Sequence, residues 1–141
     1  MDYCTIENIT ERIGETALIQ LTDDAGAGEA DEDLATAAIG AASATIDSYC
    51  QGRYSVPLTP IPAQIAGLCV DIAVYNLYSR SDLAMPEVRK DRYNAAIRSL
   101  EKVADGKIQL GADTPAQINT DNTVNITSAP RNFTRRKMRG F

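Results

Sequence analysis

Two close pairs of carboxylates are the side chains of this sequence best suited to acid–base or metal chemistry: Asp23 with Asp24, and Asp31 with Asp33. A carboxylate pair acts in catalysis when a cleft separates the two pKa values, and alternating carboxylates can bind calcium. The spacing here is not that of an EF-hand loop. The first pair lies in a Gly-rich stretch, and the second lies where a helix is predicted to begin. We therefore interpret them as a solvated acidic loop leading into a helix N-terminus.

Other catalytic groups are scarce in the sequence. There is no histidine, which removes Ser-His-Asp and Cys-His catalysis as well as His-based metal sites. The sequence contains no Gly-rich phosphate loop, G-x-S-x-G or H-E-x-x-H motif. Its three cysteines, Cys4, Cys50 and Cys69, are widely spaced, which favours reduced thiols that fill small apolar spaces. A disulfide between two of them is the less favoured alternative. We expect no enzyme, no cofactor and no metal.

Charge is divided unevenly along the chain. Residues 1–129 contain all 19 acids and nine bases, a net charge of −10, whereas residues 130–141 contain five bases and no acid. An acidic body disfavours general nucleic-acid binding, because such binding depends on cations that neutralise phosphates. The basic end also carries apolar side chains among its cations, a composition typical of binding segments. Its candidate contact residues are Arg131, Phe133, Arg135, Arg136, Lys137, Met138, Arg139 and Phe141.

The segment before this basic end is poor in apolar residues and cannot build a core of its own. Val124 and Ile126 alternate with polar residues, which suits the addition of a strand to the edge of a partner's sheet. We therefore predict that residues 111–141 form an extended docking tail. The alternatives are a solvated terminus without a binding role and a nucleic-acid-binding tail.

Apolar periodicity predicts an all-α fold, in which residues 1–110 form a small bundle of four or five helices. No apolar run approaches the roughly 18 residues that a membrane span requires. The N-terminus also lacks the basic-then-apolar pattern of a secretory signal. Residues 107–110 are predicted as a short strand or an extended exit. The predicted helices are two short ones within residues 5–21 and longer ones at about 31–51, 62–79 and 86–105.

Three residues in the middle of the chain are predicted to have structural roles. Arg53 follows the Gly52 that ends the long helix, a position near the helix C-terminus where a cation is favoured. We expect it to hydrogen-bond exposed carbonyls or to pair with Asp71, the one acid of the central buried helix. Tyr54 is expected to pack into the bundle.

Several short runs of residues in this sequence resemble those of a known protein family. The most specific run is Asp47-Ser48-Tyr49 followed by Gly52-Arg53-Tyr54 and Val56-Pro57-Leu58; further matches lie in the Asp71–Tyr78 stretch and at Asp105-Gly106-Lys107. With them, the chain resembles the connector proteins of Mu-like tailed phages and prophages over nearly its whole length. This run is typical of the family and is not a catalytic motif.

The resemblance implies a structural virion protein in the neck of the particle, assembled in the host cytoplasm. About twelve copies would form a ring beneath the portal protein. The C-terminal segment would reach the portal, a tail-side connector or terminator protein would bind the other face, and the genome would pass through without specific binding. No membrane partner is implied. The alternative is a nucleic-acid-binding or packaging-associated protein that uses its basic tail.

Overall fold

Residues 1–111 of the computed structural model are described below. They form five helices: α1 (Ile6–Ile13), α2 (Glu15–Thr22), α3 (Glu32–Cys50), α4 (Ala63–Arg80) and α5 (Glu87–Ala104). Within this range there is no strand, so the predicted all-α class is confirmed and residues 107–110 leave α5 as an irregular segment. The predicted docking residues from Val124 to Phe141 lie outside the described residues.

Capping residues set where the first and third helices begin. The Thr5 hydroxyl accepts the backbone N–H of Asn8, and the Asn8 side chain accepts the Thr5 N–H, a reciprocal cap at the start of α1. The Asp31 carboxylate accepts the N–H groups of Asp33 and Leu34 at the start of α3. Asp31, one of the carboxylates considered above for metal binding, therefore accepts hydrogen bonds from the backbone at the start of a helix.

The core is built around α4, which packs against each of the other four helices. Its buried side chains include Ile65, Cys69, Ile72 and Leu77, as the periodicity predicts. The apolar periodicity of α3 predicts an inward stripe of Leu34, Ala38, Ala41, Ala42, Thr45, Ile46 and Tyr49. This prediction is partly wrong, because Ala41 is exposed and Ile39, outside the stripe, is buried. The buried face is broader than a single stripe because α3 contacts α5 as well as α4.

None of the five described helices is both long enough and apolar enough to cross a membrane.

Candidate interaction surfaces

The segment between α3 and α4 makes hydrogen bonds with residues near both ends of the described chain. Tyr54 is buried, and its hydroxyl accepts the backbone N–H of Leu110 at 3.3 Å. Four residues later, the N–H of Leu58 donates to the Tyr3 hydroxyl at 2.9 Å, and that hydroxyl donates to Asp47. Tyr54 therefore packs into the bundle as predicted. It also holds Leu110, the last buried residue in the described part of the chain, a contact that the sequence did not indicate.

Burial and the hydrogen bond to Asp47 raise the pKa of Tyr3 from 10.0 to about 12. The folded state therefore favours neutral Tyr3. The corresponding stabilisation is fully present below pH 10 and is lost as the pH rises towards 12. Burial likewise raises the pKa of Cys50 from 9.0 to about 11. Because this thiol starts to ionise at a lower pH than Tyr3, the loss of stability begins below pH 10.

We expect the free energy of unfolding, measured with urea, to fall steeply between pH 10 and about 12. Tyr3→Phe should be less stable than the wild type at neutral pH, by about 1–3 kcal/mol, because it leaves Asp47 and the Leu58 N–H without their partner. Its decline above pH 10 should be shallower. Parallel declines in the two proteins would show that Tyr3 does not titrate in this range.

A cluster of charged side chains joins α1, α4 and α5. The Arg12 Nη1 lies 2.7 Å from the Asp71 Oδ1, and the Arg92 Nη1 lies 3.8 Å from the same oxygen. The Asp71 side chain is 17% exposed, so this pairing is partly shielded from water. The Arg89 guanidinium donates to the backbone carbonyl of Arg12 at 3.4 Å, near the C-terminal end of α1.

The predicted pairing of Arg53 with Asp71 is therefore wrong. The N–H groups of Arg53 and Tyr54 both donate to the carbonyl of Cys50, and the turn so formed carries Arg53 away from Asp71. The exposed Arg53 guanidinium lies against Gly106, just after α5. It does sit at a helix C-terminus, where a cation is favoured, but the helix is α5 and not α3.

Gly106 is the residue against which the Arg53 guanidinium packs. Its φ is +76°, which side chains rarely adopt, and a Cβ at this position would overlap the guanidinium. We expect Gly106→Ala to lower the free energy of unfolding by about 1–3 kcal/mol. Gly28→Ala is the matched control, since Gly28 has a φ of +80° with open space around it.

The difference between these two variants measures the contact with Arg53. The guanidinium is the far end of an exposed, flexible side chain and can move aside, so adding Arg53→Ala to Gly106→Ala should recover only a small part of the lost stability while the backbone cost remains. Equal losses in Gly28→Ala and Gly106→Ala, with no recovery in the double variant, would show that the contact contributes nothing.

The acidic loop between α2 and α3 is organised by its own backbone. The Asp23 carboxylate accepts the N–H groups of Gly28 at 2.7 Å and Ala27 at 2.8 Å, and these hydrogen bonds lower the pKa of Asp23. Asp24 pairs with Arg80, which also donates to the backbone carbonyl of Leu21 at 3.2 Å. No group of three acidic or thiol side chains converges on a metal position within residues 1–111.

The ion pairs of the body leave two sets of charged side chains exposed. Arg89 and Arg92 of α5 point into the cluster around Asp71. The other cations of α5 have no ion-pair partner among the described residues. We call Lys90, Arg98 and Lys102 the basic face of α5. Glu29, Glu32 and Asp33, which we call the acidic entry of α3, are exposed and equally without an ionic partner in this part of the chain.

A groove of about 370 Å³ runs between α1 and α4. Glu11 is the one carboxylate among the side chains that line it, and Arg12 is its one cation. The groove therefore brings together neither of the carboxylate pairs weighed in the sequence analysis. Its lining residues are Asn8, Glu11, Arg12, Ala66, Gly67 and Val70.

Comparison with known proteins places this small all-α chain among phage proteins. The family model described as Bacteriophage Mu, Gp36 matches residues 3–128, and the chain belongs to that family. The chain is 36% identical over 140 residues to the Mu-like prophage FluMu protein gp36 of Haemophilus influenzae, covering 99% of this chain and 97% of that protein. It is 33% identical over 144 residues to gene product J of Escherichia phage Mu, covering 100% of this chain and 99% of that protein.

Proposed function

We propose that this chain is a structural virion protein, a head–tail connector that forms a ring beneath the portal at the DNA exit channel. Its partners are further copies of itself, about twelve in the ring, the portal protein and a tail-side connector or terminator protein. It resides in the neck of the virion and is assembled in the host cytoplasm. It has no catalytic role. Membership of the Bacteriophage Mu, Gp36 family supports the part of this proposal that makes the chain a phage protein.

The observation that carries the structural role is the internal use of the body's cations. The guanidinium groups of Arg12, Arg80, Arg89 and Arg92 are directed at carboxylates and carbonyls of the body itself. The side-chain cations left exposed and unpaired in the described body are Arg53 and the basic face of α5, and they are outnumbered by acids, since residues 1–129 carry a net charge of −10. A ring of such negatively charged chains would repel the DNA phosphates, so the genome could move through it without being bound.

The second part of the proposal concerns how copies meet. The basic face of α5 in one copy would contact the acidic entry of α3 in the next, a head-to-tail contact of the kind that closes into rings. Exposed ion pairs contribute only about 0–1 kcal/mol each. A few such pairs are too weak to hold a ring in solution, so we expect the ring to form on the portal as its template.

Charge reversal tests this contact. We expect Lys90→Glu with Arg98→Glu to reduce the number of copies that assemble on portal-bearing heads by about tenfold or more, since attraction is replaced by repulsion at each contact. Lys107→Glu is the matched control, because Lys107 already pairs with Asp105 within its own chain. Adding Glu32→Lys and Asp33→Lys to the reversed α5 should restore assembly. An assembled ring with these two surfaces more than a water layer apart would contradict the contact.

The proposed function itself is tested by removing the protein from the phage that encodes it. Lysates should then contain filled heads and complete tails that do not join, and addition of the purified chain should restore joined particles. A gold-labelled chain should appear at the head–tail junction in electron micrographs. Joined, infectious particles formed without the chain would disprove a connector role.

The nucleic-acid alternative makes a separate prediction. If the basic tail grips DNA, affinity measured by fluorescence anisotropy should fall steeply with salt, with a slope set by the phosphates neutralised. A connector of the proposed kind should show weak affinity at low salt and little binding at physiological salt.

A further inference from the structure

The sulfur atoms of Cys4 and Cys69 lie next to each other inside the body. Their Sγ atoms are 3.1 Å apart, the Cys4 thiol donating to the Cys69 sulfur, although 65 residues separate them in the sequence. Both side chains are buried, and both thiols are free. The expectation that the cysteines merely fill space is thus incomplete for this pair, which joins the segment before α1 to the centre of α4.

The surroundings of the two sulfurs differ. The Sγ of Cys69 also lies 3.6 Å from the Ser43 Oγ, which in turn accepts the Tyr3 N–H at 3.1 Å. The hydrogen bond from Cys4, assisted by the one from Ser43, lowers the pKa of Cys69. The same hydrogen bond, together with burial, raises the pKa of Cys4. Cys69 is therefore the sulfur that ionises first and attacks an oxidant, and Cys4 is placed to react with the product.

We propose that Cys4 and Cys69 are an oxidation site that closes into an intramolecular disulfide when the protein meets a hydroperoxide outside the reducing cytoplasm. In the first step the Cys69 thiolate attacks a peroxide oxygen and the O–O bond breaks. Cys69 becomes a sulfenic acid, and the leaving hydroxide takes up a proton to form water.

In the second step the Cys4 sulfur attacks the Cys69 sulfur. The S–O bond breaks, the hydroxide leaves with the Cys4 proton as a second water, and the disulfide forms. Two thiols lose two electrons in total, and one hydrogen peroxide is reduced to two waters. The chemistry depends on the thiol pair alone. The expectation that it occurs after release of the particle by lysis rests on the proposed virion function.

Access to the buried pair is through the N-terminus. Cys4 precedes α1, in a short segment whose first residues, Met1 and Asp2, are exposed. Opening of this segment breaks the three hydrogen bonds of Tyr3 but leaves α3, α4 and α5 packed together, so it requires less free energy than unfolding the bundle. Once formed, the bridge would tie this segment to α4 and restrict the unfolded chain through a loop of more than 60 residues.

The experiment treats the purified full-length chain with excess hydrogen peroxide under native conditions. We expect a mass loss of two hydrogen atoms, a Cys4–Cys69 linked peptide after digestion, and a melting temperature raised by about 10 °C that falls back on addition of dithiothreitol. Cys50→Ser should form the same bridge and show the same rise in melting temperature on oxidation, measured from its own reduced form. Cys4→Ser should form no bridge and gain no stability.

Mapping on the wild-type protein keeps the test valid even if Cys4→Ser folds poorly. A bridge that includes Cys50, stepwise over-oxidation of single cysteines, or three thiols that still react with maleimide on unfolding would each overturn the proposal. None of these results bears on whether the chain connects heads to tails, which the assembly experiments decide separately.

Discussion

Deletion of residues 130–141 is expected to leave the helical body folded and to abolish its attachment to portal-bearing heads. The core described above is formed within residues 3–110, and the deleted residues lie outside the described part of the chain. They carry all five bases of the basic end and the three apolar side chains interleaved with them. Because many copies act together on one ring, loss of the segment should lower the yield of joined particles by about 100-fold or more. Circular dichroism and the thermal midpoint should match those of the full chain.

Two substituted chains separate the possible causes of this loss. Replacement of Phe133, Met138 and Phe141 by serine removes the apolar anchors and keeps the charge, whereas replacement of Arg131, Arg135, Arg136 and Arg139 by glutamine does the reverse. Docking into pockets on a protein predicts a large loss with the first set. A loss confined to the second set, with a matching loss of DNA affinity, would favour the nucleic-acid alternative. A truncated chain that still assembles on heads would rule out the docking role.

Asp71→Ala is expected to lower the free energy of unfolding by about 2 kcal/mol, less than for a fully buried pair because the side chains of Arg12 and Arg92 are 30% and 46% exposed. Removal of one partner from a shielded ion pair leaves the remaining charge uncompensated, which costs more than the intact pair contributed. Here the substitution takes the shared carboxylate from Arg12 and Arg92 and so loosens α1 and α5 from α4. Asp82→Ala is the control, because Asp82 is exposed and lacks an ion pair in the described part of the chain. Chemical denaturation of the two variants measures the difference.

Double-mutant cycles identify the partner of Asp71. Asp71→Ala and Arg12→Ala should be strongly non-additive, since both break the same 2.7 Å contact. Asp71→Ala and Arg53→Ala should be additive, because Arg53 lies at the end of α5 against Gly106. Coupling between Asp71 and Arg53 would revive the pairing predicted from the sequence and contradict the arrangement described here.

Local signals in the sequence were enough to predict the helices. Thr5 caps α1, Gly14 ends it with a φ of +84°, and Pro62 and Pro86 precede α4 and α5. Each of these signals acts over one turn of chain, so it can be recognised without knowledge of the fold. The central position of α4 also followed from its nearly continuous apolar character. The predicted boundaries at about 31–51 and 62–79 agree with α3 and α4 within a residue or two.

Partner choice across the fold could not be predicted in the same way. Arg53 and Arg12 were both available to Asp71, and the choice depends on the turn at Cys50 and on the packing of α1 against α4. The contact between Cys4 and Cys69 joins residues 65 positions apart and has no spacing motif. The predicted contact residues of residues 124–141 need a partner to test them, so they stay predictions.

The bond from the Leu110 N–H to the Tyr54 hydroxyl also bears on the order of events during synthesis. Leu110 is the last buried residue of the described body, so the bundle cannot be completed until this residue has been translated and has left the exit tunnel of the ribosome. Translation adds about 5–20 residues per second. Small helical bundles fold in microseconds to milliseconds, far faster than the chain grows. The emergence of Leu110 from the ribosome, rather than the folding step itself, would therefore set the time at which the body becomes stable.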